Sequence, residues 1–191
     1  MDAIINQLLQ LDGQVLLFIQ DHLRFAEITP AVVFLTKLGN GGFIWIVLSI
    51  LLLFPKKTRR AGVLSLLALL ASLCVTNFFL KNYVARIRPY EVIPGLNCLV
   101  EKATDWSFPS GHASAAFASA VVIYKSRPKR LGVPCLILAF VISLSRLYVG
   151  IHYPSDVICG MIIGTLIGLI LFWMFGEKKY KKKARRKARR R

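Results

Sequence analysis

The sequence has little charge for its length, and most of that charge has one sign. Charged residues make up 18% of the 191 residues, and Asp and Glu together number only 9. Hydrophobic residues account for 55%, and the mean hydropathy is +0.57. A soluble domain needs more polar surface to cover its core, and a disordered chain carries fewer apolar residues. The composition therefore excludes both classes and indicates an integral membrane protein.

Cysteine is also scarce, and its spacing matches no known ligand pattern. Cys74, Cys135 and Cys159 lie inside apolar runs, whereas Cys98 lies in a more polar segment. No CxxC pair is present, so neither a disulfide scaffold nor a zinc site is expected. The sequence predicts no metal and no other cofactor.

Long uncharged stretches are abundant. Ala61–Leu80 and Val157–Gly176 each contain twenty residues without a charge. A helix of that length crosses a hydrocarbon core of about 30 Å. The shorter runs Leu38–Phe54, Ala113–Tyr124 and Leu131–Ser145 become long enough if their helices continue into flanking polar residues. The sequence therefore predicts an all-α, polytopic membrane bundle with five membrane helices.

Residues 1–37 mix apolar and charged positions. This pattern predicts an N-terminal amphipathic helix at the membrane interface, with Pro30 opening a second short helix. A sixth membrane span through this region is the alternative. We expect three parts: interfacial helices over 1–37, a membrane domain over 38–176 and a basic tail over 177–191.

The cations are concentrated in three segments. Nineteen of the 26 Lys and Arg residues lie in Lys56–Arg60, Lys125–Arg130 and Lys178–Arg191. With five spans all three segments fall on one face, which the positive-inside rule predicts to be cytoplasmic. The tail is expected to bind anionic lipid headgroups. Nucleic acid is not expected, because the tail lacks interleaved aromatic residues beyond Tyr180.

Three polar clusters fall on the opposite, extracytoplasmic face, at the ends of predicted membrane helices. They are KNYVARIRP at 81–89, FPSGH at 108–112 and SRLYVGIHYPSD at 145–156. The cations Lys81, Arg88 and Arg146 suit the oxygens of a phosphate group. Ser110 and Gly111 precede an apolar run, where a helix N-terminus favours anions.

Two histidines belong to these clusters. His152 and Asp156 are four residues apart, so a helical turn would let the carboxylate orient the imidazole. His112 offers a second imidazole for acid–base chemistry. The spacing alone does not decide which histidine attacks a substrate.

Lys-x6-Arg-Pro, Pro-Ser-Gly-His and Ser-Arg-x5-His-x3-Asp occur in that order between Lys81 and Asp156. This ordered set resembles the three-part signature of the type-2 phosphatidic acid phosphatase superfamily. The resemblance implies a metal-independent membrane phosphatase in which His152 is the nucleophile, Asp156 orients it and His112 is the general acid and base. It further implies that the phosphate is held by Lys81, Arg88, Ser110, Gly111 and Arg146.

The chain is similar in size and layout to bacterial members that convert undecaprenyl diphosphate to undecaprenyl phosphate outside the cytoplasmic membrane, a step of cell-wall synthesis. Phosphatidylglycerol phosphate and phosphatidic acid are the alternative substrates. A non-catalytic lipid-binding or transport protein of the same fold is a remoter alternative.

Three further features receive structural interpretations. Arg86 is expected to contact lipid headgroups or other protein groups. Asp105 and Trp106 are expected to pack within a loop, with a role at the edge of the substrate as the alternative. Gly160, Gly164 and Gly168 recur every four residues, which indicates close helix packing. That packing could be internal, so the sequence leaves an oligomer open without supporting one.

Overall fold

The computed structural model describes residues 2–126 and 129–176, with side chains from residue 7 onward. Within these ranges all regular structure is helical, which confirms the predicted all-α class. The predicted basic tail lies outside the described residues. The helices are α1 (Asp2–Leu23), α2 (Thr29–Leu38), α3 (Phe43–Leu53), α4 (Arg59–Ser72), α5 (Lys81–Val84), α6 (Pro89–Val92), α7 (Gly111–Ser126), α8 (Lys129–Tyr148) and α9 (Pro154–Leu171).

Helix α7 is the centre of the bundle and packs against α4, α8 and α9. Its sequence is rich in alanine and serine, so neighbouring backbones can approach closely on several sides. Ala113, Ala116, Ala118 and Ala120 are all fully buried. A helix this enclosed fixes the relative positions of the three helices around it.

The glycines of α9 form the face that meets α7. A Cβ added at Gly164 would lie 2.2 Å from the carbonyl oxygen of Ser114, and one at Gly168 would lie 2.8 Å from that of Ala118. Only glycine permits this approach. The predicted close packing is therefore confirmed, and it is internal to the chain.

Buried hydroxyl groups join α4 to its neighbours. Ser65 shares hydrogen bonds of 2.6 Å with Ser49 of α3 and with Ser119 of α7. Ser72 lies 2.7 Å from the hydroxyl of Ser114 in the same way. Between membrane helices, hydroxyl bonds and small residues replace the hydrophobic driving force of soluble cores.

Among the described residues, three helical segments are long and apolar enough to cross a membrane: Arg59–Val92 (called the α4 segment below), Lys129–Tyr148 and Pro154–Phe175. The pair α2 and α3 makes a fourth if it is one span, although it bends by 52° at Gly39. Helix α7, with 16 residues, is shorter than these segments. The structure thus supports three or four spans, and the prediction of five is not confirmed.

The predicted run Leu38–Phe54 contains a break. Helix α2 ends at Leu38, a 3₁₀ turn covers Asn40–Gly42, and α3 begins only at Phe43. Gly41 and Gly42 have φ values of 57° and 73°, which residues other than glycine rarely adopt. Apolar composition continues through this turn, so hydropathy alone did not reveal it.

Helix α1 lies against the same end of the bundle as the 89–100 loop. Leu16 of α1 packs with Leu96 and Tyr153, and Arg24 donates a hydrogen bond of 2.8 Å to the carbonyl of Tyr148. The second short helix opens with Pro30 as predicted. An interfacial position for α1 stays a prediction.

Candidate active site

A cavity of about 640 Å³ opens at one end of the bundle. Its wall combines the C-terminal ends of the α4 segment and α8 with the N-terminal end of α7. It includes one side chain or more from each predicted polar cluster, namely Lys81, Arg88, Gly111, His112, Arg146 and His152. The prediction that the three clusters meet is confirmed. Lys56–Arg60 leads into α4, Lys125 lies in the last turn of α7, and Lys129 and Arg130 begin α8, so these basic residues lie at the ends of the helices remote from the cavity.

Lys81 and Arg88 lie on either side of a break in the helix at Ala85. Lys81 begins the short helix α5, Ala85 ends it in a left-handed conformation (φ 49°), and Arg88 precedes α6 in an extended conformation. Both side chains are about 4% exposed. Arg88 is also fixed by a 2.9 Å hydrogen bond from Nη1 to the carbonyl of Ile151.

Asp105 forms ion pairs with both of these cations. Burial raises the pKa of its carboxyl, but the hydrogen bond and charge of Lys81 and the charge of Arg88 outweigh burial and hold the pKa below its usual value. The side chain of Asp105 is 49% exposed, so this carboxylate covers the two cations from the solvent side. The sequence interpretation gave Asp105 loop packing, with a place at the substrate edge as the alternative, and did not include these ion pairs.

Arg146 reaches the cavity from the last turn of α8. Its Nη1 donates a 2.6 Å hydrogen bond to the hydroxyl of Thr36 in α2. Its Nε is buried and has no hydrogen-bond partner among the described residues. A buried guanidinium with an unused donor is suited to bind an anion.

His152 is 2% exposed and lies between α8 and α9. Its Nδ1 is 3.5 Å from Oδ2 of Asp156, longer than an ordinary hydrogen bond. Such contacts often shorten when substrate binds. Burial lowers the pKa of His152 to about 3, against the opposing effect of Asp156 and with a smaller contribution from Arg88. The imidazole is therefore neutral at physiological pH, with a lone pair available at Nε2.

Asp156 is held firmly by its surroundings. Its Oδ2 accepts a 3.0 Å hydrogen bond from the backbone N–H of Tyr153 and a 2.5 Å bond from the hydroxyl of Ser107. Its Oδ1 accepts a 2.7 Å bond from Nη1 of Arg86. Together these bonds fix the plane of a carboxylate that is fully buried.

His112 lies in the first turn of α7. Its Nε2 is 3.0 Å from Oδ1 of Asn40 in the 3₁₀ turn, so Nε2–H donates to the amide oxygen. A Cβ at Gly39 would lie 2.8 Å from Cδ2 of His112. The glycine break is thus shaped around this imidazole. The three polar clusters of the sequence gave no sign of Asn40.

Gly111 and Ser110 sit where α7 begins. A Cβ at Gly111 would lie 2.6 Å from Oδ1 of Asn77, so glycine is required by close approach. Ser110 is fully buried and is not part of the cavity wall. Its backbone N–H donates a 3.0 Å bond to the carbonyl of Asp156. Direct phosphate binding by the Ser110 hydroxyl stays a prediction.

Within the described residues, His, Cys, Asp and Glu side chains form no group of three or more that could hold a metal ion. The four cysteines form no disulfide. The polar lining of the cavity combines cations, imidazoles and amides with the carboxylates of Glu101 and Asp105 and the hydroxyls of Thr36 and Ser72. Such a site can bind an anion, supply a neutral nucleophile and move a proton.

Comparisons with known proteins agree with this chemistry. The undecaprenyl-diphosphatase of Sulfolobus acidocaldarius is 34% identical over 77% of this chain and 70% of its own length. Two solved structures share the fold. The transmembrane PAP2 type phosphatidylglycerolphosphate phosphatase of Bacillus subtilis has a TM-score of 0.74 and 25% identity, covering 91% of this chain and 88% of its own. LpxE of Aquifex aeolicus has a TM-score of 0.69 and 26% identity, covering 86% and 93%.

A family model described as PAP2 superfamily matches residues 61–180, which is more than half of the chain. That range contains all three polar clusters and every predicted site residue. With this match, the chain belongs to the PAP2 superfamily.

Proposed function

We propose that this protein is a membrane lipid phosphatase that converts undecaprenyl diphosphate to undecaprenyl phosphate on the extracytoplasmic face. The observation that carries the proposal is the cavity in which Lys81, Arg88 and Arg146 surround His112 and His152. The similarity to an undecaprenyl-diphosphatase over most of the chain supports this substrate.

The reaction proceeds in two displacements. Nε2 of His152 attacks the terminal phosphorus, and the bond from phosphorus to the bridging oxygen breaks. His112, protonated when the anionic substrate binds, donates its proton to that oxygen, and undecaprenyl phosphate leaves a phosphohistidine behind. His112, now neutral, takes a proton from water as the water attacks phosphorus. Inorganic phosphate leaves, and both imidazoles return to their initial states.

The cations supply the electrostatic part of catalysis. Lys81, Arg88 and Arg146 hold phosphoryl oxygens whose charge is redistributed in the transition state. Groups of this kind typically contribute about 10²–10³-fold each to the rate. Gly111 adds close backbone approach at the N-terminus of α7, where N–H groups have no partner within the helix.

The membrane arrangement is part of the same proposal. We place five spans at the α2–α3 pair, the α4 segment, α7, α8 and α9, with α1 at the extracytoplasmic interface. The basic segments at the end remote from the cavity would face the cytoplasm. Large apolar side chains on the outer faces, including Leu70, Ile137 and Ile162, are more than half exposed and suit contact with lipid. The domain boundary at 176 follows from this placement, whereas a first span that includes α2 moves the boundary predicted at 37 to Thr29.

A second substrate class has its own support. The Bacillus subtilis structural neighbour is named a phosphatidylglycerolphosphate phosphatase, and the predicted site residues suit a phosphate group without distinguishing one lipid tail from another. Phosphatidylglycerol phosphate and phosphatidic acid are therefore the alternative substrates. Retention of His112, His152 and Asp156 argues against a non-catalytic lipid-binding or transport protein.

The test is phosphate release by protein purified in detergent with a metal chelator present. Undecaprenyl diphosphate, phosphatidylglycerol phosphate and phosphatidic acid are compared by kcat/KM. We expect the highest value for the diphosphate, and none for His152→Ala. His22→Ala is the matched control, since His22 is exposed on α1. Full activity of His152→Ala or strict dependence on a divalent metal contradicts the mechanism. A higher kcat/KM for phosphatidylglycerol phosphate or phosphatidic acid would instead identify that lipid as the substrate.

Orientation is tested separately with single cysteines in a variant whose four native cysteines are replaced by serine. Pro94 and Lys56 are both exposed, at opposite ends of the bundle. We expect Pro94→Cys to react with an impermeant thiol reagent on intact cells, and Lys56→Cys to react only after lysis. The reverse pattern contradicts the extracytoplasmic site.

A further inference from the structure

The guanidinium of Arg86 lies between two carboxylates on the side of Asp156 away from the cavity. Nη1 donates a 2.7 Å hydrogen bond to Oδ1 of Asp156, and Nη2 donates another of 2.7 Å to Oδ2 of Asp12. The guanidinium carbon lies 3.7 Å from the centroid of the Tyr153 ring. Arg86 is therefore fixed at both ends of its fork and on one face.

Asp12 comes from a distant part of the chain, the middle of α1. It is 6% exposed, and a buried carboxylate is stable only when it is paired. Besides Arg86, its partner is Ser155 at the start of α9, whose backbone N–H donates a 2.9 Å bond to Oδ1 of Asp12. The hydroxyl of Ser155 also accepts a 2.7 Å bond from Nη1 of Arg86. The first turn of α9 thus joins α1 to the segment that carries both Arg86 and Arg88.

We propose that Arg86 and Asp12 are positioning residues for the His152–Asp156 pair, so that α1 takes part in catalysis. This inference rests on the proposed role of His152 as nucleophile. Arg86 fixes the plane of the Asp156 carboxylate, which in turn aims the imidazole at the phosphorus. A misplacement of about 1 Å in such a group can lower the rate about 100-fold.

Asp12 has a distinct electrostatic role. Arg86 alone would neutralise Asp156 and weaken its attraction for a histidine that becomes cationic during phosphoryl transfer. The carboxylate of Asp12 offsets the arginine and leaves the charge of Asp156 available to His152. In the phosphohistidine state the row His152, Asp156, Arg86 and Asp12 alternates in sign and is balanced in charge, apart from the phosphoryl group.

A purely structural role makes a different prediction. If Arg86 and Asp12 only attach α1 to the bundle, their loss lowers the unfolding temperature and leaves the kcat of folded protein unchanged. If they position the catalytic pair, kcat falls while KM for substrate stays nearly constant, because neither side chain lines the cavity. The ratio of the two kinetic constants therefore separates the two roles.

The experiment measures kcat and KM for undecaprenyl diphosphate with Arg86→Gln, Arg86→Lys and Asp12→Asn, normalised to folded protein by size-exclusion chromatography. We expect kcat to fall about 10- to 100-fold for Arg86→Gln. The loss should be smaller for Asp12→Asn, and Arg86→Lys should recover part of the rate because it restores charge without the fork. Asp21→Asn, an exposed carboxylate on α1, is the matched control and should behave as wild type.

A double-mutant cycle provides the decisive measurement. In an Asp156→Asn background, Arg86→Gln should lower kcat by less than about twofold, because the carboxylate that it positions is absent. Equal losses in both backgrounds, or wild-type kcat in Arg86→Gln and Asp12→Asn, overturn the inference. If Arg86→Gln does not fold, Asp12→Asn, which keeps the shape of the side chain, decides alone. Activity in His152→Ala would overturn the proposed function as well. If His152→Ala is inactive while the Asp12 and Arg86 variants keep wild-type activity, only this inference is overturned.

Discussion

The two histidines of the site are held by opposite kinds of surroundings. His152 is 2% exposed, and a row of buried charged groups lies behind its Nδ1. His112 is bound instead by the neutral amide of Asn40, which belongs to an exposed turn between α2 and α3. One imidazole is held by ions inside the bundle, and the other by a dipole at the edge of the cavity.

This difference matches what each imidazole has to do. A nucleophile that gains positive charge benefits from a fixed carboxylate that stabilises that charge. A group that must give and then take a proton is served better by a neutral partner, which favours neither state strongly. Under the proposed mechanism, the charged surroundings of His152 support its attack, and the neutral partner of His112 supports proton transfer.

The largest expected effect comes from removing each imidazole in turn, with p-nitrophenyl phosphate as a substrate whose leaving group needs no proton. His152→Ala should lower turnover by about 10³-fold or more and show no burst of nitrophenolate. His112→Ala should still release one equivalent in a burst and then turn over slowly, because only water attack needs the base. Stopped-flow absorbance measures both phases. A burst in His152→Ala would reverse the two assignments.

A smaller effect is expected from the partner of His112. Asn40→Ala removes the acceptor for Nε2–H and should lower kcat about tenfold, within the range for general acid–base groups. The rate of the slow phase after the burst should fall, as in His112→Ala, while the burst itself is kept. Asn82→Ala is the control, since Asn82 is an exposed asparagine whose Nδ2 donates a 2.8 Å hydrogen bond to the carbonyl of Phe78, four residues earlier. An equal effect in both variants would remove Asn40 from the site.

The sequence predicted much of this site, because its three motifs have fixed spacing along the chain. Local geometry relates His152 to Asp156, and helix order brings both to the end where Lys81 and His112 lie. The glycine contact of α9 with α7 was predictable for the same reason, since Gly164 and its neighbours repeat at a helical period.

The parts of the site that the sequence did not predict depend on contacts between distant segments. Asp12 is 74 residues from Arg86, and nothing in the composition of α1 distinguishes a buried carboxylate from one facing water. Asp105 is close to a motif in the sequence, but its ion pairs with Lys81 and Arg88 depend on the helix break at Ala85. Asn40 lay inside a run of apolar residues, where the signal was the pair of glycines beside it.

A modest effect on binding is expected from Asp105, which is paired with Lys81 and Arg88 before any substrate enters. An anion has to compete with this carboxylate for the same donors. Asp105→Asn should therefore lower the inhibition constant of inorganic phosphate several-fold, by roughly the strength of an exposed to half-buried ion pair. Glu91→Gln, an exposed carboxylate nearby, is the control. Weaker phosphate inhibition in Asp105→Asn would show that Asp105 orders the cations rather than competing with substrate.

The smallest expected effect concerns the buried imidazole and acid stability. The pKa of His152 is about 3 in the folded protein, whereas an unfolded histidine has a pKa of about 6.5. Between these values the unfolded chain binds a proton that the folded protein does not, so stability is lost as pH falls below 6.5. The loss approaches about 1.4 kcal/mol per pH unit, a few degrees in unfolding temperature at pH 5.5. Comparing thermal unfolding in detergent at pH 7.5 and 5.5, His152→Gln should show a smaller decrease than wild type, and His22→Gln the wild-type decrease. An unchanged decrease in His152→Gln would mean that His152 is already protonated in the folded protein. The proposed distinction between a neutral nucleophile beside charged groups and a second histidine bound to a neutral amide would then not hold.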